Sequence, residues 1–396
     1  MKPSLAVLAG AAVLAAGCSP LSQVVSMQAR PVITCGRAQS VVLILGAHKD
    51  APAPSLDPRV ACRVAAAIKG GKPVILVDAS GQPRLVRLRL LPADTGTLAQ
   101  RGSPRVMEDL RRVEDAISGL RPQSPGVDDL AAFAIAADAA RSAGVPHAEL
   151  ILVDSGLDDR GALDFTAPGM VAADPAQVAH QLRAGGNDPD LAGFQVLLVG
   201  LGYTAPPQAP LAAKWRGNVG QIWAAVIRSS GGRPELIPQP AQGGSVRTSE
   251  PVQLVPVPAD RPVQPAHRTV FVFTGASPVR FQPNLATFLD QAAAARALSP
   301  IAKWLAAGRS RHASLVGTTA DVGPMPGQVA LARRRADRVR DVLVSLGASP
   351  RQISCAGVGS NFPQFRPDRN AAGVLLAGPA TLNRSVRITL RSRASS

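Results

Sequence analysis

The first half of the chain alternates short apolar runs with segments that have helical spacing. Runs of almost entirely apolar, often β-branched residues are typical of strands that are buried on both faces of a sheet. Four such runs lie at 41–46, 73–78, 148–154 and 194–200. Helical patterns accompany them, at 58–69, 104–119, 127–143, 174–184 and 211–229. This order predicts a doubly wound α/β domain over residues 40–232.

A proline-rich segment divides the chain. Residues 233–267 contain eight prolines and the flexible sequence QGGS, a composition typical of an extended, semi-rigid linker. Its inner part, 252–257, is apolar enough to pair with a sheet edge, where proline is tolerated. A second, smaller α/β unit is predicted at 268–391, followed by a short tail at 392–396.

Residues 1–17 have the pattern of a secretory signal peptide. Lys2 gives the positive start, and the apolar run from Leu5 to Ala16 is too short to cross a bilayer as a helix. Small residues lead directly to Cys18, an arrangement that resembles the lipobox of bacterial lipoproteins. The resemblance implies that Cys18 is lipidated, for example with palmitate, and that a mature N-terminal segment, 18–39, follows. An ordinary signal peptide with an unrelated cysteine is the alternative.

Lipidation at Cys18 predicts an extracytoplasmic protein held at the outer membrane or at the outer face of the cell membrane. The formal net charge of the chain is +16, and it is concentrated in the second half. Residues 260–396 contain 19 Arg and Lys against 6 Asp and no Glu. Such a surface attracts polyanions, including anionic lipids and acidic cell-wall polymers. Nucleic acid is not expected as a partner, because the chain is predicted to be secreted.

Three cysteines remain after Cys18. Disulfides are permitted outside the cytoplasm, and Cys35 with Cys62 is the favoured pair because both belong to the first half of the chain. Cys355 would then be a buried free thiol. The spacing leaves the connectivity open, and it does not resemble a zinc site.

Polar residues follow the predicted strands of the first domain, where ligands of open α/β sheets bind. The stretch LILVDSGLDDRG, 150–161, loosely resembles a strand and loop of von Willebrand factor A-type domains. The resemblance implies a degenerate metal site; its candidate residues are Asp50, Asp154, Ser155, Asp158 and Asp159. Against it, Lys49 would repel a divalent cation, and carboxylates in such loops often cap helices or hold turns.

The first domain shows no motif that names a reaction. It has no G-x-S-x-G nucleophile elbow, no dinucleotide or phosphate-binding motif, and its histidines are scattered. We predict neither an enzyme nor a cofactor, and we expect this domain to serve as a scaffold or in protein interaction.

Six separated motifs follow one another from residue 268 onward. They are TVFVFTGASPVRF at 269–281, LSPIAKWLAAG at 298–308, LVGTTADVG at 315–323, QVALARRRADRVRDVLVSLG at 328–347, ISCAGVGSNFP at 353–363 and LNRSVRITL at 382–390. In this order, over about 120 residues, the chain resembles the OmpA-like C-terminal domain family, which includes peptidoglycan-associated lipoproteins and flagellar stator proteins. The resemblance implies a smaller α+β domain of βαβαβ type.

The same resemblance implies a binding site for the diaminopimelate residue of a peptidoglycan stem peptide. In the family an Asp takes the ammonium group, and an Arg fifteen residues later takes a carboxylate. The Arg falls on Arg335, but the Asp falls on Ala320, with Asp321 one position late. The candidate ligand-binding residues are therefore Asp321, Arg335, Thr319 and Gln328. Either Asp321 replaces the missing carboxylate, or the site is weakened.

The helical periodicity of this segment gives information on Arg335 that does not depend on the family resemblance. Position 335 lies within the apolar stripe of its predicted helix, which Leu331, Val339, Val342 and Leu346 define. An arginine there either extends its charged end to the edge of the core or is held inward for a partner.

These observations predict a lipid-anchored envelope protein that tethers a membrane non-covalently to peptidoglycan through its OmpA-like domain. The alternative is an envelope interaction scaffold, with a further envelope protein as partner, whose OmpA-like domain has lost specific peptidoglycan binding.

Overall fold

Two sheets organise the described part of the chain. The computed structural model describes residues 37–90, 103–238, 244–259 and 262–392, and all of these lie within one compact unit. The predicted signal peptide, Cys18 and Cys35 fall outside the described residues. No helix in the described ranges is long and apolar enough to cross a membrane.

The N-terminal region is a six-stranded α/β layer. Its strands are β1 (Val41–Leu45), β2 (Val74–Asp78), β3 (Arg84–Val86), β4 (Glu149–Val153), β5 (Gln195–Val199) and β6 (Arg233–Ile237). Its helices are α1 (Pro58–Lys69), α2 (Ser103–Ser118), α3 (Asp129–Ser142), α4 (Pro175–Ala184) and α5 (Ala213–Ser229). The strand order is β3-β2-β1-β4-β5-β6, and all neighbours are parallel except β2 and β3.

Helices cover both faces of this sheet. Residues of α3, α4 and α5 pack with Val42 and Ile44 on one face, whereas residues of α1 and α2 pack with Leu43 and Leu45 on the other. Because both faces are buried, β1 is apolar at every position. The predicted doubly wound α/β fold is confirmed.

The proline-rich segment differs from the extended linker expected at 233–267. Its first five residues form β6, which pairs with β5 at the end of the sheet, where Pro234 is tolerated. Further along, the segment lies against the first layer through single hydrogen bonds rather than as a strand. The amides of Gln253 and Val255 donate to Asp159 and Gln208 at 2.6 and 2.7 Å, and Trp215 donates to the Pro258 carbonyl at 3.2 Å.

The C-terminal region is a four-stranded sheet with helices on one face. Its elements are β7 (Val270–Phe273), α6 (Gln291–Ala306), β8 (Arg311–Gly317), α7 (Met325–Ser345), β9 (Ile353–Gly357), α8 (Ala377–Asn383) and β10 (Val386–Ser392). The order is β7-β10-β8-β9, with β8 and β9 parallel and β10 antiparallel to both of its neighbours. Residues of α6 and α7 form one core with the inner face of the sheet. The expected smaller α/β domain with a mixed sheet is confirmed.

The start of α6 corrects an expectation. The motif at 298–308 predicts a helix that begins near Ser299 and Pro300, but α6 begins eight residues earlier, after Asp290, whose side chain accepts from the Ala293 amide. Alanine dominates the first turns of α6, and its high helix propensity carries the helix through Pro300. The proline costs one backbone hydrogen bond, which the packing of Ile301 and Leu305 in the core offsets.

The cysteines divide into one bonded and one free residue in the described part of the chain. Cys62 is disulfide-bonded, and its favoured partner, Cys35, lies outside the described residues. Cys355 is free. Burial, followed by the neighbouring Asp337, raises the pKa of its thiol to about 11, so the thiol is unreactive near neutral pH.

Two glycines let α7 pack directly onto the sheet. A Cβ at Gly317 would overlap the carbonyl oxygen of Ala332, and a Cβ at Gly357 would overlap the Arg333 amide. Both contacts are with helix backbone, which cannot move aside without displacing α7. The position of every side chain on the inner face of α7 therefore depends on these two glycines.

We expect Gly317→Ala to lower the free energy of unfolding by about 1–3 kcal/mol, the usual cost of overpacking. Gly327, in the first turn of α7, is a matched control, because a Cβ there meets only open space. Gly327→Ala is expected to raise stability by about 0.5–1 kcal/mol. Urea unfolding followed by circular dichroism measures both; equal effects at the two positions would contradict the close approach.

Candidate functional site

The helix α7 holds Arg335 on its inner face. Ala332, Ala336, Val339 and Val342 are buried around it, and only 2% of Arg335 is exposed. The spacing of these residues is that of one helical stripe. Of the two arrangements that the sequence left open, Arg335 adopts the inward one, and its charged end does not reach the solvent.

The guanidinium of Arg335 meets a hairpin that precedes α6. Its Nε donates to the Leu285 carbonyl at 3.0 Å, and its Nη2 donates to the Gln282 carbonyl at 3.4 Å. The ring of Phe281 lies under the guanidinium, 5.3 Å from centroid to Cζ. These contacts use two of the five N–H groups that an arginine offers.

Arg335 is a buried cation whose described contacts include no carboxylate. Burial, followed by repulsion from Arg384 and Arg334, lowers the pKa of Arg335 to about 10. The side chain is still charged at neutral pH. Carbonyl dipoles and an aromatic face offset only part of the cost of removing such a charge from water, so an anion at this position would be stabilised.

The loop after β8 has a different environment. Ala320, at the family's Asp position, is 2% exposed, whereas the side chain of Asp321 is 49% exposed. The carboxylate of Asp321 accepts from Gln328 Nε2 at 3.0 Å and lies 3.7 Å from Arg369 Nε. Asp321 is therefore directed to the surface and paired there.

Gln328, at the start of α7, links the loop after β8 to the segment that follows β9. Its Nε2 donates to Asp321 and also to the Gly323 carbonyl at 2.8 Å. Its Oε1 accepts from the Ser360 amide at 3.1 Å and from the Thr319 hydroxyl at 3.4 Å. The structure thus brings three of the four candidate residues, Thr319, Asp321 and Gln328, into one network. Arg335 lies two helical turns further along, outside this network.

A cavity of about 160 Å³ lies beside Arg335. Two further arginines line it, Arg280 and Arg384, and the N-terminal layer closes it with residues Ala172–Pro175 and Asn218. One of its lining residues, Leu289, is 50% exposed. Three arginines therefore surround one small space between the two layers.

Contacts between the layers hold this cavity in place. Gln177 and Gln181 of α4 accept from Arg384 Nη1 at 2.9 Å and from the Ala377 amide at 2.8 Å. Gly169, at a φ of 90°, lies so close to the Gly378 carbonyl that a Cβ could not be inserted. The first turn of α4 is thus seated against α8 and Arg384.

Sequence reasoning missed Arg280, Arg384 and Asp174 as site residues. Arg384 follows Asn383 in the closing motif LNRSVRITL, and Arg280 precedes Phe281 in the opening motif. Both stand in motifs that were used for the fold but not for the site. Asp174 begins the helical pattern predicted at 174–184, and in the structure its side chain caps α4 by accepting from the Gln177 amide.

The acidic residues of the first layer also come together, around a histidine. His48 Nδ1 lies 2.5 Å from Asp50 Oδ1, and His48 Nε2 lies 2.8 Å from Asp154 Oδ1. All three side chains are buried. Burial by itself would lower the pKa of His48, but the carboxylates of Asp154 and Asp50 raise it well above its usual value. A buried imidazolium between two carboxylates is the result.

The remaining candidate residues for a metal site in the first layer accept hydrogen bonds from backbone amides. Asp159 accepts from the amides of Val127 and Gln253, and Asp158 accepts from the Leu130 amide. The Ser155 hydroxyl accepts weakly from the Leu157 amide at 3.4 Å. Lys49, expected to repel a cation, is exposed, and the positive charge in the cluster is that of His48.

Asp129, at the first position of α3, completes the buried cluster. Burial, followed by the charges of Asp154 and Asp158, raises its pKa well above the usual range, which favours its protonated form. Within the described ranges, no group of three or more His, Cys, Asp or Glu side chains is arranged to hold a metal ion. The degenerate metal site, which the sequence favoured less than a capping role for these carboxylates, stays untested.

Comparison with known proteins places the C-terminal region in a family. Residues 280–373 match the sequence model of the OmpA family. This region of the chain is an OmpA-like domain, as the six motifs predict. A search of curated proteins found no match to the chain.

Solved structures similar to the chain include three OmpA-like domains. The periplasmic domain of MotB from Helicobacter pylori is 22% identical, over 34% of this chain and 82% of that one, with a TM-score of 0.27. The peptidoglycan-associated lipoprotein from Burkholderia pseudomallei is 22% identical, over 30% and 89%, with a TM-score of 0.25. The OmpA-like domain of FopA1 from Francisella tularensis is 17% identical, over 31% and 72%, with a TM-score of 0.23.

Because the buried imidazole of His48 lies between two carboxylates, we predict that its contribution to the free energy of unfolding depends on pH. His48→Gln is expected to lower the free energy of unfolding by about 3–5 kcal/mol at pH 6, because two buried carboxylates lose their cation. The folded pKa lies above the unfolded value of about 6.5, so the contribution is complete below pH 6.5 and is lost as the pH rises through the folded pKa. The difference between the wild type and the variant should therefore shrink from pH 6 to pH 9.

Urea unfolding at each pH measures this difference. His180→Gln is the control, because His180 is exposed on α4 and its removal should change stability by no more than about 0.5 kcal/mol. A His48→Gln effect that is constant over the pH range would show that the imidazole contributes packing rather than charge.

Proposed function

We propose that this protein binds the peptidoglycan of a bacterial cell envelope through its OmpA-like domain. Lipidation at Cys18 would anchor the chain in a membrane, so the protein would tether that membrane non-covalently to the cell wall. The family match at residues 280–373 supports the envelope role, and one of the similar structures is a peptidoglycan-associated lipoprotein. Catalysis is not part of the proposal.

The observation that carries the proposal is the environment of Arg335. It is a buried cation that borders a cavity, retains unused N–H groups, and makes no described contact with a carboxylate. A planar guanidinium with two free donors binds a carboxylate in a bidentate manner. Diaminopimelate carries such a carboxylate beside an ammonium group, so the bound group would be the free end of this residue in a stem peptide.

The positive surface of the OmpA-like domain adds a second, unselective attraction. Anionic wall polymers would be drawn to it over a distance of about 10 Å or less at physiological salt. That attraction raises the local concentration of the domain at the wall but does not distinguish one anion from another.

A second candidate function is an envelope scaffold that binds another protein. Two observations favour it. Asp321 is paired at the surface with Arg369 rather than with Arg335, and the outer face of the C-terminal sheet exposes Val270 and Val272 on its edge strand β7, each 48% exposed. Exposed apolar residues on an edge strand suit strand addition by a partner.

Co-sedimentation of the purified full chain with diaminopimelate-type peptidoglycan tests the proposed function. We expect saturable binding that free meso-diaminopimelic acid competes away. Arg335→Met should weaken it by roughly 10- to 100-fold, because a hydrogen bond to a charged group contributes about 1.5–3 kcal/mol.

Arg334→Met is the matched control, because Arg334 is the exposed neighbour of Arg335 on the same helix. Thermal unfolding of each variant separates loss of binding from loss of the hairpin that Arg335 holds. Binding that disappears at high salt and is equally affected by both substitutions would indicate charge attraction alone, and it would favour the scaffold.

A further inference from the structure

Asp174, at the start of α4, lines the same cavity as Arg335, Arg280 and Arg384. It is the one acidic residue among the described residues that line the cavity. The negative charge comes from the N-terminal layer, whereas the three positive charges come from the OmpA-like domain. Opposite charges therefore face one small space from two different parts of the chain.

The position of the Asp174 carboxylate is fixed by its surroundings. One oxygen accepts from the Gln177 amide at 3.0 Å, as a helix cap. The segment before it is held by Asn218 of α5, whose Nδ2 donates to the carbonyls of Val171 and Ala173, both at 2.9 Å. The second carboxylate oxygen has no hydrogen-bond partner among the described residues. One acceptor is thus presented at a defined point.

The cavity suits a group that carries both charges. Its volume of about 160 Å³ is roughly five times the space of one water molecule, enough for the head group of an amino acid. A lone carboxylate would meet the arginines but would be repelled by Asp174, and a lone amine would be repelled by the arginines. A zwitterion satisfies both sides of the cavity.

Asp321 is less suited to the anionic role. It is half exposed, it is paired with Arg369, and it belongs to the Gln328 network rather than to the lining of this cavity. Asp174 also faces Arg384, whose pKa is lowered by burial and raised in part by Asp174 and Asp368. Among the residues that line the cavity, the carboxylate is therefore the one at the start of α4.

We infer that Asp174 binds the ammonium group of the bound zwitterion, while Arg335 and Arg384 bind its carboxylate. The inference rests on the proposed function and specifies the residues of the binding site. The ligand site is shared between the α/β layer and the OmpA-like domain. The loop position that lacks a carboxylate, Ala320, is compensated from the other layer and not by its sequence neighbour.

Isothermal titration of the full chain with meso-diaminopimelic acid and with pimelic acid, which lacks the amino groups, tests the inference. The wild type should prefer meso-diaminopimelic acid by about tenfold or more, as one charge-assisted contact implies. Asp174→Asn should abolish that preference, and it keeps the helix cap because Asn caps as well as Asp.

Two control variants retain the preference if the inference is correct. Asp57→Asn makes the same change at the same kind of cap, an Asp before a proline at the start of α1, and Asp57 does not line the cavity. Asp321→Asn removes the rival carboxylate. Circular dichroism confirms that each variant is folded before titration.

The outcomes separate the inference from the proposed function. If the wild type binds and prefers meso-diaminopimelic acid but Asp174→Asn prefers it equally, the inference fails while peptidoglycan binding stands. Loss of the preference in Asp321→Asn alone would assign the ammonium to the loop and overturn the role of Asp174. A folded wild type that binds neither compound overturns both.

Discussion

The arrangement of the OmpA-like domain depends on one guanidinium that has been removed from water. Arg335 is surrounded by carbonyl oxygens and the face of Phe281, and its burial is possible because α7 lies directly on the glycines of β8 and β9. A charge in such a place is costly unless something balances it. The hairpin before α6 and the cavity beside Arg335 are both organised around this charge.

The charged residues that line this cavity come from both layers. The N-terminal sheet contributes no motif of its own, yet the first turn of α4 is seated on α8 and on Arg384. A layer that was expected to serve as a scaffold or in protein interaction thus forms one wall of the candidate site. The same layer also contains a buried group of opposite charges, in which His48 lies between the carboxylates of Asp50 and Asp154.

Sequence patterns predicted the elements much better than their contacts. The buried strands were visible because a strand that is covered on both faces is apolar at every position, and α7 was visible because its stripe repeats with the helical period. The helix through Pro300 was missed because alanine propensity and core packing outweigh a single lost hydrogen bond. The position of Asp174 at the same cavity as the arginines was missed because it brings together residues far apart in sequence, and no local pattern encodes the distance between two layers.

The docked proline-rich segment also has a mechanical consequence. Freely extended, the 30 residues from 238 to 267 that follow β6 would span roughly 100 Å, but their described parts are hydrogen-bonded to the first layer at Gly244, Pro251, Gln253, Val255 and Pro258. A force that separated the two layers would have to break these hydrogen bonds as well as the contacts of α4 with Arg384 and Ala377. The docked segment therefore limits how far the two walls of the cavity can move apart.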